Sequence, residues 1–418
     1  FTERASLTSL NILAAQGTEF TRFHTTAPTC TPSRIALHSG RYSRREGIGD
    51  LSMNAHDPSQ DRLRLDVMFL PELFKPKFST ALIGKWHMGR AKLFGDMDQI
   101  TTGPFCQGYD KWLKGNPTVL NAGFGATGYY DWWSVEAGDA VPSTQYATDA
   151  QRDAFVGFWA TTTGAKFTML AWSAPHAPFN AADTPPGGTF HATVRENYEE
   201  NIAYLNTQLA VVLAQVNLAD TVVVFLADNG TPDDARIPTE PSLKWKGSTY
   251  QGGINVPCII AGPGINAGVV SSRITSAVDL PATLAELAAI PITAGFEDSQ
   301  SFANALGSWT GTPERAFVFA ERYEVVVSTA SVPQPIGYDD QAIIEKQTTF
   351  VTSSGALQLR LKLRRVDADG NGPNPSQDFV YDLVTDPGET NPGDPLILPP
   401  VLRNRLSAEL TSLPSRTP

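Results

Sequence analysis

The chain has few cysteines, few charges and no long apolar run, and each scarcity closes a class of explanation. Cys30, Cys106 and Cys258 are its cysteines among 418 residues. Their number is odd, their spacings are wide and no CxxC pair occurs, so neither a disulfide framework nor a zinc site is suggested. Charged residues make up 18%, below the roughly 25% usual for soluble domains. Lys and Arg number 32 against 43 Asp and Glu, a net charge of −11, the wrong sign for a nucleic-acid footprint. An anionic small substrate stays compatible, since a few cations can reverse the field inside one cleft. The longest apolar strings, such as Val222 to Ala227, are far shorter than the roughly 20 residues a bilayer crossing requires. No signal-peptide pattern opens the chain at Phe1, where the sequence already reads like the middle of a domain, so the compartment is not read from this end.

What is present argues for a large globular protein. Apolar residues reach 41%, with 34 glycines and 31 prolines, a balance that suits a loop-rich fold with a sizeable core. Leu7, Leu10 and Ala14 predict a first helix that Gly17 stops, followed by a Pro- and Thr-rich turn from Thr25 to Pro32. A helical stretch from Leu65 to Lys75 leads into an apolar strand, Thr80 to Ile83. Asp96 to Thr148 is rich in Gly, aromatics and Asn without a clean period and predicts long surface loops. Phe167 to Trp172 predicts another strand. Ile202, Leu205, Leu209, Val212 and Val216 form a helical stripe. Thr221 to Leu226 is apolar and β-branched, as in a strand buried on both faces of a parallel sheet. The alternation predicts an α/β class with a large mixed, mostly parallel sheet sandwiched by helices. After about Pro313 short strands and turns take over, with Gln358 to Leu363 alternating and a terminal helix from about Pro400 to Leu413. The expected division is 1–312 and a smaller α+β domain, 313–418, with an antiparallel sheet.

Lys85 and His87, His176, and the Asp228-Asn229 pair each follow a predicted strand. Open α/β sheets gather ligand sites at the carboxyl ends of their strands, so these residues are expected on one rim although about 140 positions separate them.

The sharpest signal is Cys30-Thr31-Pro32-Ser33-Arg34, continuing through Leu37, Ser39, Gly40 and Arg41. It resembles the C-x-P-S-R signature of the type I sulfatases of the alkaline-phosphatase superfamily, whose cysteine is oxidised to formylglycine. Gly84-Lys85-Trp86-His87-Met88-Gly89 is similar to the family's second signature, with Met88 where Leu is usual. Pro175-His176-Ala177-Pro178-Phe179 resembles its next strand-end histidine, and Asp228-Asn229-Gly230 its downstream metal pair. Lys246-Gly247-Ser248-Thr249-Tyr250-Gln251-Gly252-Gly253 resembles its K-G-x-x-x-E-G-G segment with Gln251 in place of Glu, leaving Lys244 as a solvated neighbour. Val380 to Leu383 and Asp386 to Asn391 match the structural tail signature of bacterial members. Cys106 and Cys258 lack such context and are expected to be structural.

The resemblance implies a sulfatase that cleaves a sulfated small molecule or glycan. Cys30, matured by a formylglycine-generating enzyme, would supply the nucleophile. Arg34 and Lys85 would hold it and balance charge, because fixed cations stabilise the oxygens of a sulfate ester in its transition state. His176 with Lys246 would serve the leaving oxygen, and His87 would take a proton near neutral pH. Asp228, Asn229 and residue 30 would ligate Ca²⁺ or Mg²⁺, the cations that hard oxygen donors select. A phosphomonoester or phosphonate-ester hydrolase of the same superfamily, and a non-catalytic sulfatase-like binding protein, are the alternatives. Tyr129, Tyr130, Trp132 and Trp133 are candidates either to stack on a substrate ring or to pack a long loop. Export to the periplasm or beyond the cell is expected from the family's habit.

One departure stands out. Family members begin with a central strand ending in two adjacent aspartates, whereas no Asp precedes Asp50 here. A truncated sequence is the expected reason, since every downstream motif keeps its register, and gene decay, which would be expected to erode the Cys30 and His87 signatures too, is the rival. Two strands flanking that position would then be left with unpaired edges.

Overall fold

The computed structural model describes residues 6–50, 66–88, 103–120, 126–309, 313–323 and 339–390, the last without 346–347, 353–354, 360, 368–376 and 388, together with Asn404 and Ala408. The expected terminal helix lies outside the described residues save for those two. The order begins α1 (Thr8–Ala15), β1 (Gly17–His24), α2 (Cys30–Ser39), α3 (Leu70–Phe74), β2 (Ser79–Lys85) and β3 (Lys111–Asn116). It continues with β4 (Trp132–Glu136), β5 (Asp139–Ser143), α4 (Ala147–Thr161), β6 (Lys166–Ala171), α5 (Val194–Leu213) and β7 (Val223–Leu226). Then come β8 (Asn255–Ala261), β9 (Val269–Ser271), β10 (Thr275–Ser276) and α6 (Leu280–Leu287).

These elements make a mixed α/β sandwich, as the alternation of strands and helices predicts. One five-stranded sheet runs β10-β1-β8-β7 with β9 beside β1, and a second runs β5-β4-β3-β2-β6. β2 pairs parallel with β3 and β6, while β8 pairs antiparallel with β1 and β7. Among the described residues, β6 pairs with β2 alone and β7 with β8 alone. All their residues are half-buried, and Met169 packs into the same apolar cluster as Val222, Val224 and Leu226. The expectation of a strand buried on both faces of a parallel sheet is therefore corrected. Among the described residues β7 pairs antiparallel with β8, and apolar composition alone does not distinguish a parallel from an antiparallel neighbour.

Other boundaries also move. β1 is absent from the sequence expectations because its pattern is broken: the register with β8 shifts between Phe20 and Phe23, and a bulge destroys simple alternation. The Thr25–Pro32 turn ends early, since α2 already starts at Cys30 and carries Pro32 in its first turn, where a missing N–H costs nothing. The expected helix over 65–75 contracts to α3, whose Glu72 side chain accepts from the Phe69 N–H at 2.7 Å. The loops expected over 96–148 hold β3, β4 and β5 wherever they are described. α5 starts eight residues before Ile202 because Thr193 and Glu196 form a capping box.

α2 explains how the site is held. Every residue in it is buried, and three successive side chains enter three different cores. Leu37 joins Phe20 and Val256, Ile35 joins Trp86 and Trp112, and Ala36 joins Phe319, Ile343 and Val380. Each large apolar side chain so buried contributes about 1.5–3 kcal/mol, so the helix is fixed from all sides. The third group belongs to an antiparallel sheet formed by β11 (Phe317–Tyr323), β12 (Asp339–Glu345), β15 (Leu361–Asp367) and β16 (Gln377–Asp382). A separate hairpin joins β13 (Thr348–Thr352) and β14 (Gly355–Leu359). No helix among the described residues is long and apolar enough to cross a membrane.

Candidate active site

The strand ends converge as expected. Cys30 opens α2 and is 2% exposed. Its Sγ lies 3.1 Å from Asn229 Oδ1, to which the thiol donates, and 3.4 Å from Lys85 Nζ. Arg34, one turn along α2, spans two strand ends: its Nε donates to Asp228 Oδ2 at 2.8 Å and its guanidinium to the Lys85 carbonyl at 2.9 Å. Ser33, given no role by sequence, donates to the Asp228 carbonyl at 2.5 Å. Its place beside Arg34 in the C-x-P-S-R run was the available signal. Cys30, Arg34, Lys85, Asp228 and Asn229 thus form one hydrogen-bonded group.

His87, His176 and Lys246 join this group through charge. Burial first, then Lys85 and Arg34, hold the His87 imidazole well below its ordinary range. Burial, then Lys85 and Lys246, push His176 down to about 3. Both rings are therefore neutral in the free protein. Burial lowers the Lys85 ammonium too, and Arg34 and Lys246 oppose its charge. Burial alone would raise Asp228, yet Arg34, Lys85 and Lys246 together bring it well below the usual carboxylate range. The result is a buried cluster with excess positive charge, matched to an anion.

His87 is 1% exposed, and neither of its ring nitrogens has a hydrogen-bond partner among the described residues. Its backbone has φ of +56°, a left-handed conformation that costs a non-glycine residue roughly 1 kcal/mol or more. Two backbone bonds hold it there, from Trp86 N to the Asn116 carbonyl at 2.8 Å and from His87 N to the Pro117 carbonyl at 2.9 Å. Buried unpaired nitrogens on a strained residue are costly and mark a group kept ready for another partner. Gly84 serves the same turn: a Cβ there would fall 2.3 Å from the Ala171 carbonyl of β6, so only glycine lets the two strands close.

The Asp228-Asn229-Gly230 and Lys246–Gly253 segments interlock. Gly230 N donates to the Gly253 carbonyl and Lys246 N to the Thr231 carbonyl, both at 2.9 Å. Gly247 N donates to the carbonyl of Pro28 at 3.0 Å, two residues before Cys30. Lys244 is not a solvated neighbour, because its ammonium donates to the Glu389 carbonyl and lies 4.9 Å from the Tyr250 ring centre. Glu389 also receives the Gln251 N–H at 2.5 Å and pairs with buried Lys362 at 2.5 Å. The tail signature is tied in this way to the Lys246 segment, while its Gly388 and Asn391 lie outside the described residues.

Further side chains separate from the expectations. Tyr129 and Trp132 are 0% and 1% exposed and pack with Tyr146, Ala147 and Ala150, so they build core and do not stack on a substrate. Tyr130 and Trp133 remain half-buried. Cys258 is buried, its thiol pushed up by desolvation, as expected of a structural cysteine. Cys106 is exposed and therefore not a core residue.

The donors fit a hard divalent cation in kind. Asn229 brings an amide oxygen to the Cys30 side chain, and the adjacent Asp228 offers a carboxylate, held by Arg34 of the same helix. They supply two of the about six or more oxygens that Ca²⁺ takes. No group of three or more His, Cys, Asp or Glu suited to a metal occurs among the described residues.

The family profile described as Sulfatase matches residues 3–290. The chain is 28% identical over 318 residues to N-acetylgalactosamine-6-sulfatase of Mus musculus, covering 68% of this chain and 58% of that protein's length. Identity to arylsulfatase A of Homo sapiens is 26% over 415 residues, covering 91% and 77%. Among solved structures, Ps i-CgsB in complex with k-i-k-neocarrahexaose matches with a TM-score of 0.68 at 22% identity, over 97% of this chain and 85% of that one. A complex with D-glucosamine-2-N,6-O-disulfate, described as its protein's substrate, matches with a TM-score of 0.65 at 16% identity, over 97% and 91%.

Proposed function

This chain belongs to the sulfatase family and has its alkaline-phosphatase-like fold, and from that premise we propose that it hydrolyses a sulfate ester to an alcohol or phenol and sulfate. The observation that carries the reading is the placement of Cys30 Sγ, 3.4 Å from a buried lysine and 3.1 Å from Asn229 Oδ1, in a buried cluster of net positive charge. The solved complex with a disulfated glucosamine supports a sulfated glycan as the substrate class, and the family's habit supports export from the cytoplasm.

Conversion of Cys30 to formylglycine by a maturation enzyme supplies a hydrated aldehyde whose hydroxyl is the nucleophile, at the position the sulfur now marks. Lys85 and Arg34 orient that hydroxyl and offset charge on the sulfate oxygens. Burial first, then the positive charges of Lys85 and Lys246, keep His176 neutral until an anion enters. A sulfate ester bound beside them relieves that repulsion, so His176 can take up a proton and deliver it from Nε2 to the leaving oxygen, with Lys246 alongside. His87, neutral and with both ring nitrogens unpaired among the described residues, removes a proton from the second hydroxyl at residue 30, which releases sulfate. Asp228 and Asn229 would hold a Ca²⁺ or Mg²⁺ ion, which would add positive charge beside the sulfate oxygens.

Side-by-side turnover of an aryl sulfate and the matching aryl phosphate tests the reading. The sulfate should be the better substrate, and Cys30→Ala should abolish its turnover. Preference for the phosphate would assign the site to phosphoester chemistry. Binding of sulfated glycans without turnover of any ester would leave a binding protein.

A further inference from the structure

Tyr129 lies outside the charged group, yet its hydroxyl reaches the loop that carries His176 after β6. Its hydroxyl donates to the carbonyl of His176 at 2.7 Å. Its own N–H donates to Asp183 Oδ1 at 2.5 Å, and its carbonyl accepts from Ala147 N at 2.9 Å. The ring stacks on Tyr146 with centroids 5.1 Å apart, and the whole residue is 0% exposed. The preceding Gly128 closes the anchor, since a Cβ there would fall 2.0 Å from Asp183 Oδ1. Every polar group of Tyr129 is thus fixed, and burial keeps its phenol protonated as a donor.

The other end of this contact has a defined chemistry. His176 Nδ1 lies 2.9 Å from the Ala177 carbonyl. A carbonyl only accepts, so Nδ1 carries the hydrogen and Nε2 is the nitrogen that exchanges a proton in the neutral ring. That bond exists only while the His176–Ala177 backbone keeps its orientation, and the hydroxyl of Tyr129 grips the peptide group joining the two residues.

We propose that Tyr129 is a positioning residue for His176, holding the His176–Ala177 peptide and through it the next carbonyl, that of Ala177, which locks the imidazole in its Nδ1–H tautomer; the inference rests on the reading of His176 as the leaving-group acid. Tyr129→Phe keeps the stacked ring and removes only the tether. Tyr146→Phe, which removes a buried hydroxyl bonded to Asn201 Oδ1 at 3.1 Å in the same cluster, is the matched control for general loosening.

The first readout needs no turnover. In protein labelled with ¹⁵N-histidine, the His176 signals, identified by their loss in His176→Ala, should show one neutral tautomer in the wild type and in Tyr146→Phe. In Tyr129→Phe the Nε2–H tautomer should appear beside it. A single unchanged tautomer in Tyr129→Phe overturns the proposal. Should that variant not fold, Asp183→Ala, which frees the Tyr129 backbone and leaves its ring, should produce the same mixture, and an unchanged spectrum overturns it equally. The second readout is kinetic. Tyr129→Phe should lower kcat for phenyl sulfate roughly tenfold more than for 4-nitrophenyl sulfate, because only the poorer leaving group needs the acid. Equal losses on the two esters contradict the proposal. If His176→Ala itself shows no dependence on the leaving group, the acid assignment falls, while the tautomer spectrum still decides the positioning claim.

Discussion

Arg34 and Asp228 are joined across 194 positions of sequence by a 2.8 Å hydrogen bond from Nε to Oδ2. The same guanidinium reaches the Lys85 carbonyl, so one side chain ties the helix bearing Cys30 to the ends of β2 and β7. A lysine offers a point charge where this geometry uses a planar fork. Arg34→Lys should therefore lose about 1–3 kcal/mol of stability, from donors and acceptors left unmatched in a buried site. It should also lose on the order of a hundredfold in kcat/KM. Denaturant midpoints and initial rates check both, and wild-type behaviour in the variant would remove Arg34 from the account.

The acid limb of stability should carry the signature of a buried histidine in the same helix. His38 bonds the Arg34 carbonyl at 2.8 Å and the Tyr109 hydroxyl at 3.1 Å. Burial is the main reason its imidazole is pushed down to about 4, and the charge of Arg34 adds to it. Between about pH 6.5 and 4 the unfolded chain binds this proton and the folded chain does not, so stability falls as pH falls through that window. The slope from one such group is about 1.4 kcal/mol per pH unit. His38→Leu should flatten the profile over that window by close to one proton, measured by denaturation at several pH values. An unchanged slope would show that His38 does not stay neutral in the fold.

His87 and His176 should fail differently. His176→Ala should cost about 10²–10⁴-fold on esters with poor leaving groups and much less on activated aryl esters. His87→Ala should cost a similar amount on both, because its step follows departure of the leaving group. A kcat series across aryl sulfates of graded acidity separates the two patterns. If the graded loss appears with His87→Ala, the two roles are exchanged.

The tail signature should act on stability. Lys362 and Glu389 pair at 2.5 Å with side chains 0% and 2% exposed. Removing one charge would strand the other in the core, at about 3–5 kcal/mol. Glu389→Ala should lower the thermal midpoint markedly, whereas Lys362→Met with Glu389→Leu together should recover much of the loss. A single variant as stable as the wild type would contradict the pairing.

The chemistry was legible wherever it lay in short contiguous runs. Cys30 to Arg34, Lys85 to His87, and Asp228 with Asn229 carry their spacing in sequence, and the strand-end rule was enough to bring them together. The helical stripe around Leu209 likewise identified α5. What sequence did not reveal depends on contacts between distant segments or on broken periodicity. β1 was hidden by the shift between Phe20 and Phe23. The antiparallel direction of β7 follows from its pairing with β8, and composition does not encode that. Tyr129 and Trp132 turn inward because Tyr146 and Ala150 cover them, and the bond from Lys244 to Glu389 spans 145 positions.

The claim that residue 30 is the nucleophilic position is tested most directly by mass spectrometry of its tryptic peptide, after co-expression with a formylglycine-generating enzyme. Conversion of CH₂SH to an aldehyde should lower that peptide's mass by about 18 Da, while the peptides bearing Cys106 and Cys258 keep their thiols. An unmodified Cys30 thiol, under conditions that mature a control sulfatase, would contradict the account.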